Sequence, residues 1–579
     1  MAKGGLFNLT GAIVAGLSTV AVTLVVTRSF SQAAAGAFFT ATSLFLIIEA
    51  IASLGTAPGT VYFIARLRSS GQYHRIPEVI RTAVRPVTVV SVLAAAALAL
   101  TAAPVARLLL HGHLGHAGAQ PSEVATALRA LAVTLPFAAL LDTFLGASRG
   151  FRAMGPTNAT DRIGRSLLQL VGIGVAAAAG NAALLAPLWA LPYVPAAFVG
   201  WLWLRRIRRR SQLGVAAAGT AGRPAGPAPD QVAGPASDQV AEPPPDQVAG
   251  AATAAGAAGA ATAAGTATAA GTEPLGFWRF TAPRGLAALA QITIQRIDIV
   301  LVAIIRGPAE AAIYTAATRF LVAGQFSNQA ISMAAQPRFT EMFSQGDHRG
   351  ANRIYQVTTA WLILLTWPLY LLAISFGPQI LTVFGHSYQA GADVMVILGL
   401  TMLLATGCGQ VDMVLVTAGR SSWSLINGLL AVVVNVGLDV LLIPRYGITG
   451  AAIGWSVAIV VTNIMPLVQL AASLRLHPFG RETVITVALT ALSFGLLPWA
   501  ARVLFGHGAF PALAAIACGC AVMAAGMWHF RADLNLAAMP GAVQLAAAAR
   551  RRHKKRLGRE ARLATRVQPG CTSQKTLPR

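Results

Sequence analysis

Apolar runs of roughly twenty residues, separated by short polar connections, recur along nearly the whole chain. Each is long enough to cross about 30 Å of hydrocarbon as a helix. Fourteen are recognisable, at 7–27, 37–64, 87–110, 124–147, 160–179, 183–204, 285–305, 311–334, 355–376, 393–417, 423–443, 449–472, 483–504 and 511–530. The pattern predicts an all-α membrane protein of about fourteen transmembrane helices.

One segment breaks the rhythm. Residues 206–276 turn to Ala, Gly, Pro and Thr, with "DQVA" repeated at 230, 238 and 246. The stretch lacks large side chains and buries too little area to offset the entropy of ordering, so it is predicted to be a disordered cytoplasmic linker. It divides the chain into an N-terminal bundle of six helices, 1–205, and a C-terminal bundle of six, 277–475. Two additional helices at 476–530 and a basic tail at 531–579 follow.

Two segment pairs suggest that the bundles are related. "TRSFSQAAAGAFFTATSLF" at 27–45 resembles "IRGPAEAAIYTAATRF" at 305–320, and "DTFLGASRGFRAMGPTN" at 142–158 resembles "DMVLVTAGRSSWSLIN" at 412–427. The offsets nearly agree. An even number of helices in the first bundle makes the repeats parallel, related by an axis along the membrane normal.

Composition supports this reading. Of 579 residues 55% are hydrophobic and only 11% charged, against about 25% charged in soluble domains. A formal charge of +24 would suggest nucleic acid in a soluble protein, yet 36 of the 44 Lys and Arg fall on one side of an alternating topology. That asymmetry predicts a multi-pass inner or plasma membrane protein with both termini cytoplasmic, and no nucleic-acid partner. The first run reads as a retained helix, too long for a signal-peptide core. In the tail, "RRRHKKR" at 550–556 suits anionic lipid.

Candidate chemistry is sparse. Four cysteines show no ligand spacing, and His111, His113 and His116 read as a solvated outer loop, so no metal site is expected. There is no Walker loop or nucleotide fingerprint, and the outer loops are too short for the catalytic loop of a glycosyltransferase or polymerase. Neither an enzyme nor a cofactor is expected.

The block "LLIPRYGITGAAIGWSVA" at 441–458, preceded by "VTAGRSSWSLINGLLAVVVNVGLD", resembles helices eleven and twelve of O-antigen and polysaccharide flippases. These belong to the multidrug/oligosaccharidyl-lipid/polysaccharide exporter superfamily. "RIDIVLVAIIRGPAEAAIYTAATRF" at 296–320, "FGPQILTVFGHSY" at 376–388 and "SLGTAPGTVYFIARLRSSGQ" at 53–72 agree with that resemblance. Independently of it, Pro444 and Gly447 predict a tight outer turn, and Gly450, Ala451, Ala452 and Gly454 a small-residue face for close helix packing.

The resemblance implies two pseudo-symmetric six-helix bundles in a V around a central cavity, plus two extra helices. It implies alternating access, and a polyprenyl-diphosphate-linked oligosaccharide carried from the cytoplasmic to the outer leaflet for cell-surface polysaccharide assembly. Polysaccharide assembly proteins and membrane lipids are the other partners it implies. The rivals are a multidrug/cation antiporter of the same superfamily, for which span 1 lacks a carboxylate, and a lipid II flippase, whose arginine-rich N-terminal cavity is not evident here.

Polar residues inside the apolar runs are the candidate site, because a charge at mid-bilayer costs roughly 2.5–3.5 kcal/mol on insertion scales. Gln291, Gln295 and Asp298 stand at i, i+4 and i+7 and share a face, with Arg296 pointing elsewhere. Placed on a cavity wall, Arg296 and Arg319 would attract a diphosphate. Gln291, Gln295 and Tyr314 would hydrogen-bond or stack against sugar. Asp298, Glu49, Asp142 and Asp412 would hold the arginines apart, close gates or carry a coupling ion. The alternative for all of these charges is structural salt bridging between bundles, with Asp439 expected to be structural.

Overall fold

The computed structural model describes residues 2–110, 120–221, 274–505 and 509–534. No strand occurs among them. The three loop histidines, most of the 206–276 linker and the basic tail lie outside the described residues.

The N-terminal lobe consists of α1 (Ala2–Ser29), α2 (Gln32–Ala52), α3 (Thr56–Ser69), α4 (Ile76–Leu109) and α5 (Pro121–Gly150). A π-helical segment (Thr157–Arg165) then runs into α6 (Ser166–Ala178), and α7 (Leu185–Ala190) and α8 (Tyr193–Ala221) complete the lobe. The C-terminal lobe consists of α9 (Pro274–Arg306), α10 (Pro308–Ser344), α11 (His348–Leu381), α12 (Ala392–Gly407), α13 (Val411–Thr417) and α14 (Ser421–Leu474). The appendage is α15 (Arg481–Thr490), a second π-helical segment (Ala491–Leu496), α16 (Leu497–Phe505) and α17 (Ala509–His529). The fourteen apolar runs fall largely on helix, and among the described residues 10 helical stretches are long and apolar enough to cross a membrane.

Local chemistry sets the breaks. Ser31 caps α2 by accepting from the Ala34 amide, which satisfies one of the helix's free N–H groups. The run expected as one span at 37–64 is instead two helices, because Leu54 (φ 51) and Gly55 (φ 63) take left-handed backbone between α2 and α3. Likewise the 393–417 run divides at Gly409 (φ 73). In α14, Gly447 (φ 58, ψ −136) folds the helix back on itself just after Pro444. A Cβ on Gly450 would lie 2.5 Å from the Leu442 carbonyl oxygen across that turn. Ala451 and Ala452 are fully buried there.

We name the sides by the charge asymmetry, the Arg-rich side being inner. The lobes touch on both. At the outer side, Gly36 of α2 packs on the Pro308 backbone so closely that a Cβ has no room. Arg28 donates across the lobes from Nε to the Val383 carbonyl (2.7 Å) and from Nη2 to that of Thr382 (2.9 Å), at the C-terminal end of α11. Gln32 donates to Ser387 Oγ (3.0 Å) beside it. At the inner side, α3 lies on the first half of α9, where Gly55 meets Gly285 and the rings of Tyr62 and Phe280 stack at 4.2 Å.

Candidate functional site

Between these two contact zones lies a cavity of ≈ 250 Å³. Of the 17 described residues that line it, 15 come from the N-terminal lobe. Those from the C-terminal lobe are Arg296 of α9 and Arg319 of α10.

Both guanidiniums lack hydrogen-bond and ion-pair partners among the described residues. Arg319 is 8% exposed, with a buried Nε that reaches no acceptor. Arg296 is half-buried and lines the same cavity. Two unpaired cations lining one cavity are costly unless an anion joins them, since a buried charge loses its hydration without compensation.

The facing wall is built differently. From α1 come Ser18, Thr19 and Thr23, and from α2 come Thr42 and Ser43. Thr19, Thr23 and Thr42 donate to backbone carbonyls one turn back and present oxygen lone pairs. Phe38, Trp189 and Tyr193 supply an aromatic frame, with Phe38 and Trp189 edge to face at 6.3 Å and Trp189 and Tyr193 at 5.8 Å.

Arg165 completes that wall and was not a candidate from the sequence, where it falls near the inner start of the 160–179 run. Three side chains hold it. It donates to Asp161 Oδ1 (2.7 Å), to Gln169 Oε1 (3.0 Å) and to Tyr193 Oη (3.3 Å), with its guanidinium over the Tyr193 ring at 4.8 Å. Gln169 in turn donates to the Trp189 carbonyl at 3.0 Å. The π-helical segment ends at Arg165, and Gly164 makes room for its wide turn, since a Cβ there would sit 2.7 Å from the Ala159 carbonyl oxygen. Such wide turns insert one residue and re-aim the side chains that follow. The signal in the sequence was the spacing Asp161, Arg165, Gln169, a polar face at i, i+4 and i+8 leading into an apolar run.

Several expected placements are corrected. Gln291 and Gln295 are exposed and do not line the cavity. Asp298, expected on the same strip, is 3% exposed and points instead into the C-terminal lobe, where α9 packs on α14. Arg296, two residues away and nearly opposite around the helix, is the side chain that lines the cavity. Tyr314 is 2% exposed and donates to Asp298 Oδ2 (2.7 Å), so its hydroxyl is spent inside the lobe.

Asn435 joins that interior group, donating to Asp298 Oδ1 (2.9 Å) and to Asp439 Oδ2 (3.0 Å). Asn435 and Asp439 are fully buried, and the Oδ1 atom of each has no partner. Asp439, expected to be structural, is therefore one wall of a buried carboxylate pair.

None of the four candidate carboxylates pairs with Arg296 or Arg319. Asp142 lies 3.8 Å from Arg149 on its own helix, and Asp412 accepts from Ser424. Glu49 is half-buried, and its carboxylate has no hydrogen bond or ion pair to another described residue.

Residues 283–441 match the family model described as MatE, which spans α9 to the first arm of α14. No curated protein sequence gives a significant match. Among solved structures, "Lipid II flippase MurJ, inward closed conformation" superposes with a TM-score of 0.65 at 10% identity, over 92% of this chain and 100% of that one. An inward-facing multidrug resistance MATE family transporter of the MOP superfamily superposes with a TM-score of 0.57 at 15% identity, over 81% of this chain and 99% of that one. At such identities the likeness is one of fold. The chain has the fold shared by the MurJ flippase and the MATE transporters, with a MatE match confined to its C-terminal lobe.

Proposed function

We propose that the protein is a secondary transporter that flips a polyprenyl-diphosphate-linked oligosaccharide from the inner to the outer leaflet by alternating access of its two lobes. The observation that carries this reading is the pair of unpartnered guanidiniums, Arg296 and Arg319, on one wall of a cavity between the lobes. Guanidinium offers planar paired donors that match phosphate oxygens. A diphosphate brings two anionic groups to two cations, while the prenyl chain stays in lipid.

The fold supports movement of a lipid-linked head group, since one structure that shares it is a lipid II flippase. A cationic wall disfavours the cationic drugs of an antiporter, because like charges in a low-dielectric site repel strongly. A lipid II substrate would meet the same guanidiniums, so this chain's glycan is decided by the sugar side of the cavity. For energy coupling we propose Asp298, Asn435 and Asp439. Two buried carboxylates bridged by one amide, with spare oxygens, suit uptake of a monovalent cation or a proton.

The test is deletion of the gene followed by leaflet-resolved measurement of lipid-linked oligosaccharide. Accumulation on the inner leaflet is expected, reversed by the wild type and not by Arg296→Ala/Arg319→Ala at equal membrane abundance. Full complementation by that double variant would overturn the reading.

A further inference from the structure

The two faces of the cavity differ in chemistry as well as in origin. On the C-terminal face the described lining residues are Arg296 and Arg319, which bring donors and two positive charges. The N-terminal face carries no net charge at its one ionic group among the described residues, because Arg165 is matched by Asp161 at 2.7 Å, while its Nη1 donates to Gln169 and Tyr193. What it offers is hydroxyl oxygen beside aromatic rings. The hydroxyls of Ser18, Ser43 and Ser166 have no partner among the described residues, although the three side chains are 6%, 1% and 7% exposed. Thr19, Thr23 and Thr42 have spent their protons on backbone carbonyls and can only accept.

A ligand that satisfies both faces must be an anion at one end and an uncharged polyol at the other. Phosphate oxygens only accept and belong against guanidinium. Sugar hydroxyls both donate and accept, and they fit a wall of serine and threonine oxygens framed by rings.

Size limits how much of the ligand is held. The cavity of ≈ 250 Å³ lies below the roughly 300–1,000 Å³ of pockets that enclose drug-sized ligands. It admits a diphosphate and the sugar joined to it, and not a long glycan.

We propose that the N-terminal wall, centred on Ser43, Ser166 and Trp189, is a subsite for the sugar bonded directly to the diphosphate, while Arg296 and Arg319 hold the diphosphate itself. This rests on the flippase reading and adds an orientation: diphosphate toward the C-terminal lobe, proximal sugar toward the N-terminal lobe. The subsite then sets which first sugar is accepted, whatever the remainder of the glycan.

The experiment is equilibrium binding to the full-length protein in lipid nanodiscs. The probes are farnesyl diphosphate and farnesyl diphosphate carrying glucose, galactose or N-acetylglucosamine. Wild type is expected to bind at least one sugar-bearing probe about tenfold tighter than the bare diphosphate. Ser43→Ala/Ser166→Ala is expected to remove that advantage, weakening the preferred sugar probe about tenfold and the bare one less than twofold, as loss of two hydrogen bonds allows. Arg296→Gln/Arg319→Gln is expected to weaken every probe more than tenfold. If the serine pair lowers the melting temperature, the single variants are read in the same way.

Equal weakening of bare and sugar-bearing probes by the serine variants would overturn the sugar subsite and leave the diphosphate reading standing. Equal wild-type affinity for all probes would do the same. Binding unaffected by the arginine pair, or no binding of any probe by the wild type, would overturn the flippase reading and the subsite with it.

Discussion

Asp298 accepts hydrogen bonds from Tyr314 and Asn435 at once, at 2.7 and 2.9 Å, and shares Asn435 with Asp439. As placed, the amide turns its N–H₂ to both carboxylates and leaves its own oxygen buried without a donor. Rotating that amide by half a turn would bring a third oxygen toward the carboxylates, the arrangement a bound cation needs. Asp298→Asn is therefore expected to abolish gradient-driven transport, read as substrate flux with and without an imposed sodium or proton gradient. Tyr314→Phe removes one charge-assisted hydrogen bond and is expected to cost about 1.5–3 kcal/mol, seen as a lower melting temperature. At this scale the sequence was only partly legible. Charges in apolar runs marked Asp298, Arg296 and Arg319 as unusual, but helix periodicity cannot say which neighbour meets which face. It grouped Asp298 with Gln291 and Gln295, whereas the structure buries the acid and leaves both amides exposed.

The elements show how small residues and irregular turns place those side chains. Helix α3 reaches α9 only because Gly55 and Gly59 lack side chains: Gly55 meets the Gly285 backbone, and Gly59 meets Thr281 and the Phe277 ring. Gly59→Leu is expected to wedge these helices apart. Overpacking costs typically 1–3 kcal/mol, enough to favour states in which the inner contact is open. The measurement is labelling of Ser43→Cys, in an otherwise cysteine-free background, by an impermeant thiol reagent in inside-out vesicles. A rise of about tenfold is expected, and no change would show that α3 and α9 do not guard the cavity. The π-helical segment before α6 acts in the other direction, adding a residue so that Arg165 reaches the cavity wall. Neither device was visible from hydropathy, which registers an apolar run and its length and is blind to a one-residue insertion or a left-handed pair such as Leu54 and Gly55.

Across the whole molecule the helical plan was the most legible feature, because bilayer thickness imposes span length and leaves lengths of about 20 residues in the sequence. The turn at Pro444 and Gly447 could be read for a different reason, since few residues other than glycine tolerate the backbone found at Gly447. The cross-lobe contacts could not be read, because they join positions more than 350 apart, as Arg28 does with Thr382 and Val383. Arg28 ends α1 and holds carbonyls at the end of α11, where a cation is favoured by the helix dipole. Arg306, in the segment that resembles the one around Arg28, instead pairs with Glu310 of its own lobe at 3.1 Å. Arg28→Ala is expected to release the outer contact while leaving the lobes folded, raising thiol labelling of Ser43→Cys from the outer side about tenfold at unchanged melting temperature. Unchanged labelling would mean that Gly36 on Pro308 suffices to keep the outer side shut.

The uneven parentage of the cavity has a mechanical corollary. With 15 of the 17 described lining residues on one lobe, a head group of the kind proposed would rest in one jaw and meet Arg296 and Arg319 from the other. Were the jaws to swing, the cradle would travel intact as the two guanidiniums drew away. Release of such cargo would then begin with loss of its counter-charge, whichever way the mouth opens.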